Sequence, residues 1–264
     1  MSTPRIAITG WGTVSPLGVD ADTTWAAMLA GASGVGRLEH DWADDLPVRI
    51  AGEVPAFEDR LSVREQRRMD RAEQLAMVAG REAWAMAGAQ DLDRDRVAVV
   101  IGSAIGGLWT TIEQQHRLEA SGPRRVSPHT VTMMMANGAA AWLSMDLGAR
   151  AGARAPVSAC ASGSEAILNA REMILAGSAD VVVAGGTDAC ITPLTLASLA
   201  ILCWTTRLRS LLQLWLAVSL FLLLLDNLVT QTGAARGTVG WFAGRIEALI
   251  SGVVVLCALS LIHI

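Results

Sequence analysis

A chain of 264 residues, 52% hydrophobic and 17% charged, has the material for one large core or two small ones. Its net charge of −4 gives no overall basic character to argue for nucleic acid. The cysteines Cys160, Cys190, Cys203 and Cys257 form no Cys-x-x-Cys pair, and His40, His116, His129 and His263 are scattered, so no metal site, disulfide framework or cofactor is expected.

In chain order, residues 5–9 form a short β-rich run ending at Gly10. Asp20 and Thr23 open a helix over 24–29 that Gly31 stops. Residues 32–60 read as loop. Apolar residues at helical spacing predict a helix over 70–86 that ends at Gly88. Residues 97–101 are a buried-strand run, followed by the glycine-rich turn Gly102-Ser-Ala-Ile-Gly-Gly107 and a helix to about Ala120. Residues 121–128 are loop. Residues 132–147 predict a helix of small residues that another backbone can approach closely. A short strand over 157–159 runs into a helix over 160–176, and a last strand covers 180–184 before Gly185 and Gly186. Strand and helix alternate, which predicts an α/β layered fold.

The composition changes near residue 200. All eight prolines lie at or before Pro193, and only six charged residues (Arg207, Arg209, Asp226, Arg236, Arg245 and Glu247) lie beyond residue 200. Residues 211–225 and 246–264 are mostly apolar, and a membrane helix needs about 20 such residues. The tail, 201–264, has two readings: a non-native, frame-shifted extension, or one or two membrane-associated helices. The N-terminus has no signal-peptide pattern, so residues 1–200 are expected in the cytoplasm.

Cys160 is the candidate nucleophile. In Val157-Ser-Ala-Cys160-Ala-Ser-Gly163 a strand gives way to a helix through small residues. Backbone N–H groups and the macrodipole at a helix N-terminus favour a thiolate, the reactive form of cysteine. The Cys160 N–H is a candidate oxyanion donor. The competing reading is a buried structural cysteine. Other signals are weaker. Thr9-Gly-Trp-Gly-Thr13 imitates a dinucleotide turn but lacks the helix start and the ribose-binding acid. Met133, Met134 and Met135 read as core before channel, and residues 91–96 as a solvated loop.

With these residues in view, the chain resembles the elongating β-ketoacyl-carrier-protein synthases of the thiolase superfamily, nearest to the type II enzymes of actinobacteria. The resemblance runs over roughly residues 4–200. It is carried by Ile6-Ala-Ile-Thr-Gly-Trp-Gly-Thr-Val-Ser-Pro-Leu-Gly18, Trp25-Ala-Ala-Met-Leu-Ala-Gly31, Arg68-Met-Asp-Arg71 and Gly102-Ser-Ala-Ile-Gly-Gly107. Ala136-Asn-Gly-Ala-Ala140, the Cys160 block, Asp180-Val-Val-Val-Ala-Gly-Gly186 and Pro193-Leu194 complete it. The resemblance implies the N-terminal half of a thiolase-like layered fold, followed by the apolar helical tail. It implies Cys160 as acyl acceptor, with acyl and malonyl groups delivered by acyl carrier protein and the acyl-enzyme condensed with decarboxylated malonyl in fatty-acid elongation. It gives Ile105 a place in the acyl pocket, Thr130 a place beside the partner's pocket across a homodimer, and no cofactor. The family's catalytic His pair, its Lys and its Asn-Ser-Phe-Gly-Phe-Gly motif have no counterpart in this chain, so the chain as given is expected to be inactive in condensation. The alternatives are a non-catalytic truncated or membrane-tethered fragment, and a coenzyme A-dependent enzyme of the same superfamily.

Overall fold

The structure, a computed structural model, describes residues 5–206 except 47 and 89–91. Its centre is the strand β3, Val97–Gly102, every residue of which is buried. β3 pairs in parallel with β4, Gly152–Arg154, on one side and with β5, Val181–Gly186, on the other. The register sets Val97 against Val181 and Gly102 against Gly186, so β3 and β5 end together.

Side chains alternate across a strand, and β3 divides its residues between two cores. Val97, Val99 and Ile101 pack with helices α3 (Arg71–Ala87) and α6 (Gly138–Leu147) through Met77, Val78, Trp84 and Leu143. Ala98 and Val100 face helix α7, Ser162–Leu175, through Ala166 and Met173. A sheet between helical layers is the α/β layering expected from the alternation.

The remaining elements are short. Helix α1 covers Ala21–Leu29, a two-residue hairpin pairs β1 (Gly36–Arg37) with β2 (Ile50–Ala51), and helix α2 covers Val63–Gln66. Helix α4 is Leu108–Ser121, α5 is Thr130–Met134 and α8 is Pro193–Thr206.

The helix predicted over 70–86 forms because its ends are marked in the side chains. Asp70 caps the Ala72 N–H, Glu73 accepts from the Asp70 N–H, and Gly88 takes the left-handed conformation at φ 62°. Arg81 in α3 reaches both Glu65 of α2 and Asp146 of α6, at 2.5 and 2.6 Å.

Three expectations are corrected. Residues 5–9 are not a strand: no ladder pairs with them among the described residues, and the glycines that follow press on α3. A Cβ on Gly10 or Gly12 would stand 2.3 or 2.1 Å from the carbonyl oxygen of Ala83 or Ala79. The single helix over 132–147 is two, α5 and α6, because Met135 turns extended (ψ 131°) where Gly106 and Gly107 press in. The close approach of a second backbone falls on this break rather than along a helix. Residues 157–159 are not a strand either, since Ala159 leaves the extended region at φ 51°.

Beyond Thr206 the apolar tail lies outside the described residues. Among the described residues no helix is long and apolar enough to cross a membrane.

Candidate active site

The chemistry-bearing residues gather beyond the carboxyl ends of the parallel strands, where α/β sheets hold their ligands. Cys160 sits in the middle of one 3-10 turn, Ala159–Ala161, and α7 begins two residues later at Ser162. Ala159 holds φ 51°, the one non-glycine residue with positive φ among the described residues. For an L-residue that conformation costs roughly 1–2 kcal/mol. Ser162 pins the turn from inside: its Oγ accepts from the Ser158 N–H at 3.0 Å and donates to the Ala159 carbonyl at 2.7 Å. The Cys160 side chain is exposed, so the buried-structural reading of this cysteine is excluded in this chain.

Glycines bring the turn close to the strand ends. A Cβ on Gly102 would stand 2.5 Å from the Ser162 carbonyl oxygen, and one on Gly186 would stand 2.8 Å from Gly163 Cα. The first turn of α7 therefore lies against β3 and β5 at a separation that only glycine permits.

The glycine-rich turn after β3 is held by a residue that sequence reading missed. Asp188 Oδ1 accepts from Ser103 Oγ at 2.9 Å, from Ala104 N–H at 3.0 Å and from Ile105 N–H at 3.3 Å. Its Oδ2 also accepts from Ala104 N–H, at 3.1 Å. Ser103 Oγ accepts in turn from Gly106 N–H at 2.9 Å. Ile105, the expected acyl-pocket residue, is thereby presented at 49% exposure. Gly107 donates to the Met134 carbonyl at 3.3 Å, which joins this turn to the end of α5.

Thr130, at the start of α5, donates through its hydroxyl to the Ser127 carbonyl at 2.7 Å. In this chain it supports the turn that opens α5. Cys190, two residues beyond Asp188, is a second, half-buried thiol. Burial pushes it up, and the charges of Asp188, Asp70 and Cys160 add to the rise.

Beneath these loops lies a buried acid pair. Asp70 Oδ2 accepts from the Thr110 N–H and hydroxyl at 2.9 and 2.7 Å, which anchors the start of α4. Burial pushes Glu73 up to about 8, against the pull of the Asp70 N–H, and its Oε1 has no hydrogen-bond partner. Thr187 donates to the Ala72 carbonyl at 2.7 Å and ties the end of β5 to α3.

A separate cavity of about 500 Å³ is lined by Val63, Arg64, Arg67, Arg68 and His129. Its three arginines are spaced three and one apart in sequence along the turn of α2 and its continuation, so the chain concentrates positive charge there. That spacing was a readable signal of a one-sided basic cluster.

A helix–sheet–helix domain with an exposed cysteine on a tight turn at the strand ends defines the class: a thiolase-like ketosynthase fold. Comparison with known proteins agrees. The family model described as "Beta-ketoacyl synthase, N-terminal domain" matches residues 3–207, and the chain belongs to the β-ketoacyl synthase family. It is 41% identical over 197 residues to 3-oxoacyl-[acyl-carrier-protein] synthase 2 of Staphylococcus aureus strain N315, covering 73% of this chain and 48% of that one. It is 37% identical over 200 residues to the protein of the same name from Mycobacterium bovis, covering 75% and 48%. The chain thus spans about half the length of the curated relatives it matches. Among solved structures, a β-ketoacyl synthase from Burkholderia phymatum STM815 superposes with TM-score 0.57 at 32% identity, over 66% of this chain and 44% of that one. A ketosynthase solved with its type II PKS acyl-carrier protein and bound to a hexaketide superposes with TM-score 0.61 at 26% identity, over 76% and 49%. A second family model, "Membrane-associated sensor, integral membrane domain", matches residues 171–264. Its first part overlaps α7 and β5, which belong to the layered domain.

Proposed function

We propose that this chain is the acyl-accepting half of a 3-oxoacyl-[acyl-carrier-protein] synthase acting in fatty-acid chain elongation. The observation that carries the reading is the exposed Cys160, held on a strained turn at the strand ends of a chain that belongs to this family. The Cys160 thiolate attacks the carbonyl carbon of a carrier-bound acyl thioester. A tetrahedral oxyanion forms and collapses, expelling the carrier's thiolate and leaving the acyl group on sulfur. Donors aimed at the developing oxyanion lower this barrier, and the Cys160 N–H is our candidate for one of them. In the complete reaction a carbanion from decarboxylated malonyl-carrier protein attacks the acyl-enzyme carbonyl and releases the cysteine. We assign no residue of this chain to the decarboxylation. Ile105 shapes the acyl pocket, and Thr130 faces the pocket of a second subunit in a homodimer.

The partner is acyl carrier protein, whose phosphopantetheine arm bears an anionic phosphodiester. The cluster of Arg64, Arg67 and Arg68 supports that choice. The proposed tail, 201–264, is separate from the synthase half only beyond α8, which ends at Thr206. The part of the membrane-sensor match beyond residue 207 supports membrane association as one reading of it, beside a non-native extension.

The test is mass spectrometry of the full chain incubated with acyl-carrier protein or acyl-coenzyme A. Acyl transfer from the carrier, mapped to Cys160 and absent in Cys160→Ala, supports the reading. Faster transfer from coenzyme A points to a coenzyme A-dependent relative. Absence of any adduct at Cys160, with either acyl donor or with cerulenin, refutes it.

A further inference from the structure

The hydrogen bonds of Asp188 go beyond what a loop needs in order to close. They cross 83 to 85 residues of sequence, and all of them land on one turn, residues 103–105. That turn follows β3, whereas Asp188 follows β5, and the two strands end in register at Gly102 and Gly186. Gly186 is also a point where the first turn of α7 comes close, through Gly163, three residues from Cys160. Asp188 therefore links the turn that bears Ile105 to the segment after β5, whose Gly186 lies against the first turn of α7.

We propose that Asp188 is a positioning residue that fixes Ile105 over the path of the acyl chain and so sets which chain lengths reach Cys160. The inference rests on the proposed reading of Cys160 as acyl acceptor and of Ile105 as a residue of the acyl pocket. Its physical basis is acceptor geometry. A carboxylate offers two oxygens and about four lone-pair sites, and here they take the hydroxyl of Ser103 and the N–H groups of Ala104 and Ile105. The Ser103 hydroxyl, oriented by its donation to Asp188, is left to accept from Gly106 N–H, so one carboxylate organises the turn from Ser103 to Gly106. Loss of the carboxylate removes the shared acceptor, and the turn shifts by rotation of its peptides. Ile105 is 49% exposed, so burial alone holds it less firmly than a core residue, and the hydrogen bond from its N–H to Asp188 fixes its backbone. A displaced pocket residue changes discrimination between substrates that differ by methylene groups, an effect of about 10- to 200-fold for one such group. The thiol itself is untouched, because the turn of Cys160 is pinned by Ser162 and not by Asp188.

The test uses the full chain as wild type, Asp188→Ala and Asp188→Glu, with N-acetylcysteamine thioesters of four- and twelve-carbon acyl groups. Acylation of Cys160 is followed by intact mass, and iodoacetamide alkylation of the same residue serves as reference. Expected for Asp188→Ala is a change of about tenfold or more in the ratio of long- to short-chain acylation, an unchanged alkylation rate, and faster hydrogen exchange at Ala104 and Ile105. Asp188→Glu, which keeps both acceptor oxygens, restores most of the wild-type ratio. The inference is overturned if the ratio stays at the wild-type value, if acylation and alkylation fall together, or if amide protection at Ala104 and Ile105 is unchanged. A wild-type chain that accepts no acyl group overturns the functional reading and this inference with it. That outcome is told apart by the wild-type measurement alone.

Discussion

Glu73 carries a pH dependence that a single substitution can isolate. Its side chain is 3% exposed, and one carboxyl oxygen accepts from the Asp70 N–H at 3.0 Å while the other has no partner. The start of α6 lies so near that a Cβ on Gly138 would sit 1.8 Å from the unpartnered oxygen. Burial is the largest influence and pushes the group from 4.5 to about 8; the Asp70 N–H pulls it down, and the Asp70 charge adds to the rise. In the unfolded chain Glu73 ionises near 4.5, whereas in the folded chain it keeps its proton to about 8. Between those limits the folded state binds more protons than the unfolded one, so stability falls as pH rises. The slope is about 1.4 kcal/mol per pH unit, or on the order of 3–4 kcal/mol between pH 5 and pH 8. Below 4.5 both states are protonated and the effect vanishes; above 8 the penalty is constant. Glu73→Gln cannot ionise. It is expected to lose roughly 1 kcal/mol at pH 5, because an amide nitrogen facing the Asp70 N–H or left unpaired is poorly satisfied. It is also expected to lose the slope, so that it matches or exceeds wild type at pH 8. Urea unfolding followed by tryptophan fluorescence from pH 5 to pH 9 measures both quantities, and the difference between the two proteins cancels other titrating groups. Parallel stability curves for wild type and Glu73→Gln between pH 5 and pH 8 refute the argument.

Three further outcomes are expected. Under limiting iodoacetamide near neutral pH, peptide mapping finds Cys160 alkylated several-fold ahead of Cys190, since the first is exposed and burial pushes the second up; equal labelling contradicts this. Gly102→Ala places a Cβ 2.5 Å from the Ser162 carbonyl oxygen, so the first turn of α7 must move. The cost is about 1–3 kcal/mol in denaturant unfolding, with slower alkylation of Cys160, and unchanged stability and reactivity would count against the packing described. Arg81→Ala breaks the link between Glu65 and Asp146 at the junction of α2, α3 and α6, for a loss of about 1–2 kcal/mol at neutral pH, given its partial exposure. Burial pushes Glu65 up, but Arg81 and the Ser62 hydroxyl outweigh it and hold the acid at about 2. Its contribution is therefore present above 4.5 and lost as pH falls toward 2, and Arg81→Ala moves that loss to higher pH in an acid-unfolding titration.

Local chemistry made some of this structure legible in the sequence. The helix α3 was readable because Asp70, Glu73 and Gly88 mark its ends in the side chains themselves. β3 was readable because burial on both faces demands an unbroken apolar run. Residues 5–9 show where such reading stops: their composition suits a strand, but a strand exists only with a partner. The start of α7 was misplaced by two residues because the left-handed backbone of an alanine, Ala159, leaves no trace in residue type. Cys160 stood out through its small neighbours and its place between strand and helix. Asp188 did not, because an aspartate after Gly185, Gly186 and Thr187 gives no sign of the turn it holds 85 positions earlier. The Arg64, Arg67 and Arg68 cluster carries a readable spacing, although the sequence does not show which groups share its cavity.

The division of β3 between two cores restricts what this chain can tolerate. Neighbouring positions in the strand serve opposite sides of the sheet, the valines and isoleucine at 97, 99 and 101 on one and the smaller pair Ala98 and Val100 on the other. Exchange of one aliphatic side chain for another at these sites disturbs one core. Removal or insertion of a single residue within Val97–Gly102 reverses every side chain beyond it, sends large groups where α7 leaves little room, and carries the turn bearing Ile105 out of reach of Asp188. Drift in this family can therefore rewrite the letters of the central strand, whereas their number is fixed by both cores and by the loop they deliver.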